Sequence, residues 1–307
     1  MIKKTNSSTG QSKVEMATPL SVGTVMNQDT LAKMESHMGY NPRFLGTPVP
    51  TPKLTPAQKK NVAKKGRSLT LDYTHFSICM NQQRRLAFFT AVNIDGGNII
   101  KIIRSKDKWI FDNRINEAYQ CGNDIYKNNK LDKGHLVRRL DPCWGPESVA
   151  KKAEEDTFHY TNASPQHSNL NQNRWNDLED YILKNTDVNN LKINVFTGQV
   201  FDQENDPRYR GIQIPLRYWK IVTMIKSDGS LSATAYILDQ EKDIEVMPKA
   251  GFVFGEFRTY QTSIAEIEKL TSLNFGDIKK YDPKATLKYT FGASPRTYLE
   301  SFDKIVF

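Results

Sequence analysis

The chain has 307 residues and a net charge of +9, from 43 Lys and Arg against 34 Asp and Glu. With 38% hydrophobic and 25% charged residues it is neither disordered nor fibrous in composition, and it can bury one large core or two modest ones. No run approaches the roughly 18 uninterrupted apolar residues of a membrane helix, so no membrane partner is expected.

The first 68 or so residues differ from the rest. They are polar, with one short helical candidate over 29–38, and they end in GTPVPTPKLTPAQ and the lysine-rich KKNVAKKGR. Prolines 48, 50, 52 and 56 favour extended backbone, so 1–68 reads as an extension or linker with a boundary near Ser68. From Leu69 the texture becomes that of a folded domain, 69–307. Leu86 to Ile94 is a strand ending in the turn Asp95-Gly96-Gly97, and the β-branched NIIKIIR after it predicts the second arm of a hairpin. Further strands are expected at Lys192 to Val200, Tyr218 to Ile225 and Leu231 to Leu238, the last two flanking a hairpin signal over Lys226 to Gly229. Helical patterns cover Asn171 to Lys184 and Ile264 to Leu270. Strands paired through hairpins with helices between them predict an α+β domain, mixed in composition, on a central antiparallel sheet.

Cys79, Cys121 and Cys143 are odd in number and scattered, which suits neither a disulfide framework nor a Cys-x-x-Cys metal site. Reduced thiols in a cytoplasmic compartment are the reading, and the N-terminal lysines are followed by no apolar signal-peptide core. His75, His159 and His167 have no cysteine partners and no His-x-x-x-His spacing, so zinc is not expected. The positive charge attracts polyanions, which is informative only beside a chemical motif.

Two segments supply that motif: LDKGHLVRRLDPCWG (131–145) and DTFHYTNASPQHSNLNQNRWNDLEDYIL (156–183). Phosphodiester hydrolysis needs an activated water and charge stabilisation on the phosphoryl and leaving oxygens. A histidine is ordinarily neutral enough near pH 7 to take the water's proton, and Gly134 just before His135 permits a tight backbone and close approach of a phosphate. Asn171 and Glu179 lie on one predicted helix, their backbones roughly 12 Å apart along its axis. Asn171 then suits direct coordination of an ion, with Glu179 further out on metal-bound water. An ion that keeps most of its waters behaves like Mg²⁺.

In order, Asp132-Lys133-Gly134-His135, Thr161-Asn162-Ala163-Ser164-Pro165-Gln166 and Asn171-Gln172 through Trp175 to Leu178-Glu179 resemble the signature of the DNA/RNA non-specific endonucleases, the endonuclease G-like, ββα-metal group. The likeness extends from about residue 70 to the C-terminus. It implies a ββα-metal catalytic motif, His135 as general base, Mg²⁺ held by Asn171 (with Mn²⁺ as a substitute), and DNA and RNA as substrates. Two positions depart from the pattern. Lys133 stands where the family carries arginine and lacks the bidentate fork, and Leu183 occupies a position where many relatives carry arginine. Arg138, Arg139 and Arg174 are the candidates to carry that charge toward nucleic acid. Trp144, Tyr160 and Trp175 are assigned to packing.

The block GYNPRFLGTPVPTP is similar to N-terminal blocks of bacterial nucleases linked to trypsin-like proteases in phage defence. A cytoplasmic bacterial enzyme follows, restrained until a protease cleaves the arm or an inhibitor is displaced, and homodimers are open. Two other classes stay open: a nucleic-acid-binding module that has lost catalysis, and a phosphatase or small-nucleotide hydrolase.

Overall fold

The computed structural model describes residues 38–104, 107–167, 182, 190–239, 245–247, 251–253, 258–285, 296–299 and 305. In chain order the described elements are α1 (Pro56–Lys60), β1 (Leu71–Tyr73), β2 (Phe76–Asn81), β3 (Leu86–Asp95), α2 (Asn123–Tyr126), β4 (Leu131–His135), α3 (Glu147–Thr157), β5 (Ala163–His167), β6 (Lys192–Val200), β7 (Arg208–Tyr209), β8 (Ile212–Gln213), β9 (Arg217–Ile225), β10 (Leu231–Asp239), β11 (Glu245–Met247), β12 (Gly251–Val253), β13 (Arg258–Thr262), α4 (Ile264–Thr271) and β14 (Thr297–Tyr298).

Eight strands form one sheet in the order β1-β2-β3-β6-β9-β10-β13-β14, every neighbouring pair antiparallel. The sheet is covered on both faces, so its central strands read as continuous apolar runs. The two-residue period still sorts the side chains. Tyr218 and Val222 of β9 and Tyr236 and Leu238 of β10 pack into one core, Trp219, Ile221, Ala235 and Ile237 into the other. The first face carries Leu136 and Val137, just after β4. The second is covered by Ile264 and Ile267 of α4, where Ser263 caps the helix by accepting from Glu266 N–H at 3.2 Å.

The proline-rich stretch is part of this second layer from residue 38 onward. Val49 is fully buried, and with Leu54 and Val62 it packs into the core that holds Phe196 and Trp219. α1 closes with a Thr55–Gln58 capping box, and Gln58 Nε2 donates to the Thr271 carbonyl at 2.8 Å. A boundary near Ser68 therefore marks no edge of packing. The prolines held the chain extended, as composition indicated, but that extended chain lies across a sheet, which composition does not reveal. Residues 38–67 and the later segments belong to one unit, His37–Phe307, and Met1–Ser36 lies outside the described residues. So do most of the helical candidate over 29–38 and, apart from residue 182, the helix expected over 171–184.

The expected hairpin after β3 is a second correction. A 3₁₀ turn (Gly96–Asn98) ends β3, and NIIKIIR runs off as a loop that makes one bridge, Ile99 to Trp144. Both edges of β3 are already taken, by β2 and β6, so a third partner has no place to pair.

Candidate active site

β4 and β5 form a separate two-stranded ladder over the first face of the sheet, with His135 opposite Ala163, Gly134 opposite Ser164 and Asp132 opposite Gln166. Sheet side chains fix it from below. Tyr218 donates its hydroxyl to the Pro165 carbonyl at 2.9 Å, and Gln199 Nε2 donates to Ser164 Oγ at 3.1 Å. The segment after His135 is clamped by Asn162, which is fully buried and bonds the Val137 backbone N–H and C=O as well as the Thr157 carbonyl. Thr161 is tied to the Tyr73 hydroxyl, which also donates to Asp112.

Gly134 is explained by its neighbour. A Cβ there would lie 2.1 Å from Gln166 Oε1, so glycine is needed because the buried Gln166 side chain folds over it. The sequence reading gave this glycine to an approaching phosphate, and the structure gives the space to a carboxamide.

His135 is half-buried, its ring 4.7 Å from that of Trp109 and edge-on to Phe158 at 5.1 Å. Its Nε2 is buried with no hydrogen-bond partner among the described residues. Burial pushes the imidazole pKa down to about 3; Asp107 opposes this, while Arg104, Arg139 and Arg138 reinforce it. The ring is therefore neutral at physiological pH, in the form that accepts a proton. An anion paired with those guanidinium groups would raise its basicity.

The cations around it differ in availability. Lys133 is half-buried with its ammonium 5.2 Å from the Tyr126 ring centroid, and burial lowers its pKa while Asp107 and Asp132 raise it. Arg138 is half-buried. Arg139 bonds Glu154 and donates to the Ile102 carbonyl at 3.1 Å, so much of its bonding capacity is spent on holding a loop. Arg104 chelates Asp107 with bonds of 3.0 and 2.6 Å, which holds that carboxyl below its ordinary range. Asn171, Arg174 and Glu179 lie outside the described residues. His167 ends β5 buried, and His75 stacks on Trp144 at 3.4 Å. Trp144 donates to the Asn93 carbonyl and Tyr160 is buried, in keeping with the packing roles read for both.

Sequence reasoning assigned no role to Trp109, Phe158, Arg104 or Asp107. No local pattern marks them, since Trp109, Arg104 and Asp107 come to His135 through the loop that NIIKIIR opens and Phe158 from the end of α3. Asn162 and Gln166 stood inside the quoted block, where their fixed spacing was the signal.

The site is thus an imidazole on one strand of a two-stranded antiparallel ladder, under the field of Arg104, Arg138 and Arg139 and over a large antiparallel sheet. Residues 55–282 match the DNA/RNA non-specific endonuclease family, and the chain belongs to that family. It is 36% identical over 262 residues to a protein of Sinorhizobium fredii called "Uncharacterized protein y4fB", covering 78% of this chain and 39% of that one. It is 26% identical to bovine mitochondrial endonuclease G (53% of this chain, 54% of that one) and 28% identical to a Serratia marcescens nuclease (54% and 58%). The chain thus spans well under two thirds of the length of each of these relatives. A solved structure of an EndoG/EndoGI complex superposes with a TM-score of 0.53 at 17% identity, over 74% of this chain and 94% of that one, a likeness of fold.

Proposed function

We propose that this chain is a metal-dependent, sequence-nonspecific endonuclease that hydrolyses phosphodiester bonds of DNA and RNA. The observation that carries the reading is His135: a neutral imidazole with an unpaired Nε2, fixed on a clamped strand pair under the field of Arg104, Arg138 and Arg139, with Lys133 two residues before it on the same strand. In this reading His135 takes the proton of the attacking water, and Lys133 and Arg138 neutralise the phosphoryl oxygens. A phosphate drawn to those cations offsets their field and makes the base stronger as substrate binds.

Among the described residues no three His, Cys, Asp or Glu side chains are grouped as a metal cage. A hydrated Mg²⁺ held by one amide oxygen needs no such cage, and a metal-bound water would be a partner for the orphaned His135 Nε2. Asn171 would hold the ion, Glu179 would bind its water, and Mn²⁺ would substitute. Bound there, the ion supplies charge neutralisation at the phosphoryl and leaving oxygens. Restraint in a bacterial cytoplasm by the N-terminal residues, relieved by a protease or regulated by an inhibitor, extends the same reading.

The test is digestion of plasmid and single-stranded RNA with Mg²⁺, with Mn²⁺ and with chelator, across a salt series. Cutting of both polymers that needs the ion and falls steeply with salt is expected. Activity confined to mononucleotides, and insensitive to salt, would replace the reading with a small-nucleotide hydrolase.

A further inference from the structure

The β-branched run that failed to pair with β3 has a use of its own. The loop it opens is pinned at both ends: Ile100 N–H donates to the Cys143 carbonyl at 2.7 Å, and Ile110 exchanges backbone bonds of 3.0 and 2.9 Å with Phe158 and Tyr160. Arg139 holds the Ile102 carbonyl, and Trp109 rests on His135. Between these pins Ile103 projects with 92% of its surface exposed, more than any other exposed large hydrophobic side chain among the described residues. Exposed cations lie along the same loop at Lys101 and Lys108, with Arg104 between them paired to Asp107.

We propose that Ile103 is a wedge that enters a base step of duplex nucleic acid and positions the adjoining phosphodiester for His135. An aliphatic tip set among cations fits a ligand that is anionic outside and apolar within, which describes a stacked duplex. A second copy of this chain would bring the same cations against their like. The inference rests on the nuclease reading, and its geometry is that of one loop bonded to the segment that follows the general base.

The experiment compares Ile103→Ala and Ile103→Leu with the parent chain on a duplex and on a short single-stranded oligonucleotide that has no duplex step to open. It also follows 2-aminopurine fluorescence in a labelled duplex bound by each variant in a His135→Ala background. Ile103→Ala is expected to lower kcat/KM on duplex by roughly ten- to hundredfold, the worth of burying one aliphatic side chain, with the single strand unaffected and the fluorescence rise lost. Ile103→Leu restores both. Unchanged duplex cleavage, an equal loss on both substrates, an unaltered fluorescence rise, or loss of self-association alone would overturn the wedge. The parent nuclease reading fails separately, if the unaltered chain cuts neither duplex nor single strand.

Discussion

Asn162 grips Val137 through the peptide groups on either side of it: its Oδ1 accepts from the Val137 N–H at 2.8 Å and its Nδ2 donates to the Val137 carbonyl at 2.9 Å. With the third bond to Thr157 and none of the residue exposed, this side chain fixes where the chain goes after His135. Asn162→Asp keeps the shape but cannot donate to two carbonyls. We expect a loss of about 1–3 kcal/mol for each buried group left unpaired, with a fall in nuclease rate below the new melting point. Urea unfolding beside plasmid-nicking rates checks both, and a stable variant with full activity would remove the clamp from the account.

Gly134 and Gln166 form a coupled pair. Gly134→Ala forces a Cβ onto a buried carboxamide and should cost about 1–3 kcal/mol. Since neither amide atom of Gln166 has a hydrogen-bond partner among the described residues, Gln166→Ala both makes room and removes an unsatisfied group. The double variant should therefore be more stable than Gly134→Ala alone. Additive losses in the cycle would show that the clash is relieved elsewhere.

The depressed His135 pKa sets a pH window. The folded imidazole declines a proton until about pH 3, whereas the unfolded one takes it up near 6.5. Between those values the unfolded chain binds more protons, so stability falls as pH drops through the window and is recovered above it. His167, also shifted down by burial, adds in the same direction. His135→Asn should flatten the fall in unfolding free energy between about pH 6.5 and 4, read by denaturant titration at each pH. A slope equal to that of the parent would mean the imidazole is not shifted.

Truncation separates the roles of the N-terminal residues. A chain starting at Ser68 loses Val49, Leu54, Val62 and α1 from the second core, at about 1.5–3 kcal/mol for each buried aliphatic side chain, and should not hold its fold. A chain starting at His37 keeps them all and should melt like the parent. On that shorter chain a higher nuclease rate is the outcome expected if residues before 37 restrain activity. Circular dichroism melts and plasmid nicking of the three chains decide it.

What could be read in advance follows from where the physics is local. β6 has the bounds the apolar run predicted, Lys192–Val200, and β9 and β10 flank the expected turn, with Gly229 at φ 81°. β4 and β5 gave no such signal: LDKGH and ASPQH have little alternation and are held as strands by each other and by Tyr218 and Gln199 from below. α3 was missed too, a mostly polar segment whose buried face includes two alanines. His135 was singled out because it stands in a block of fixed spacing, and Trp109 was not, because its contact with that ring depends on a loop whose path no local pattern encodes.

The most direct measurement is the cleavage of supercoiled plasmid and single-stranded RNA, with Mg²⁺ present, by the His135→Ala chain after its melting curve has been matched to the parent's. Loss of general-base catalysis predicts a rate lower by about 10²- to 10⁴-fold on both polymers with binding retained. Cleavage of either polymer at the parental rate by a folded His135→Ala chain would contradict the assignment of the base, and with it the mechanism built around this strand pair.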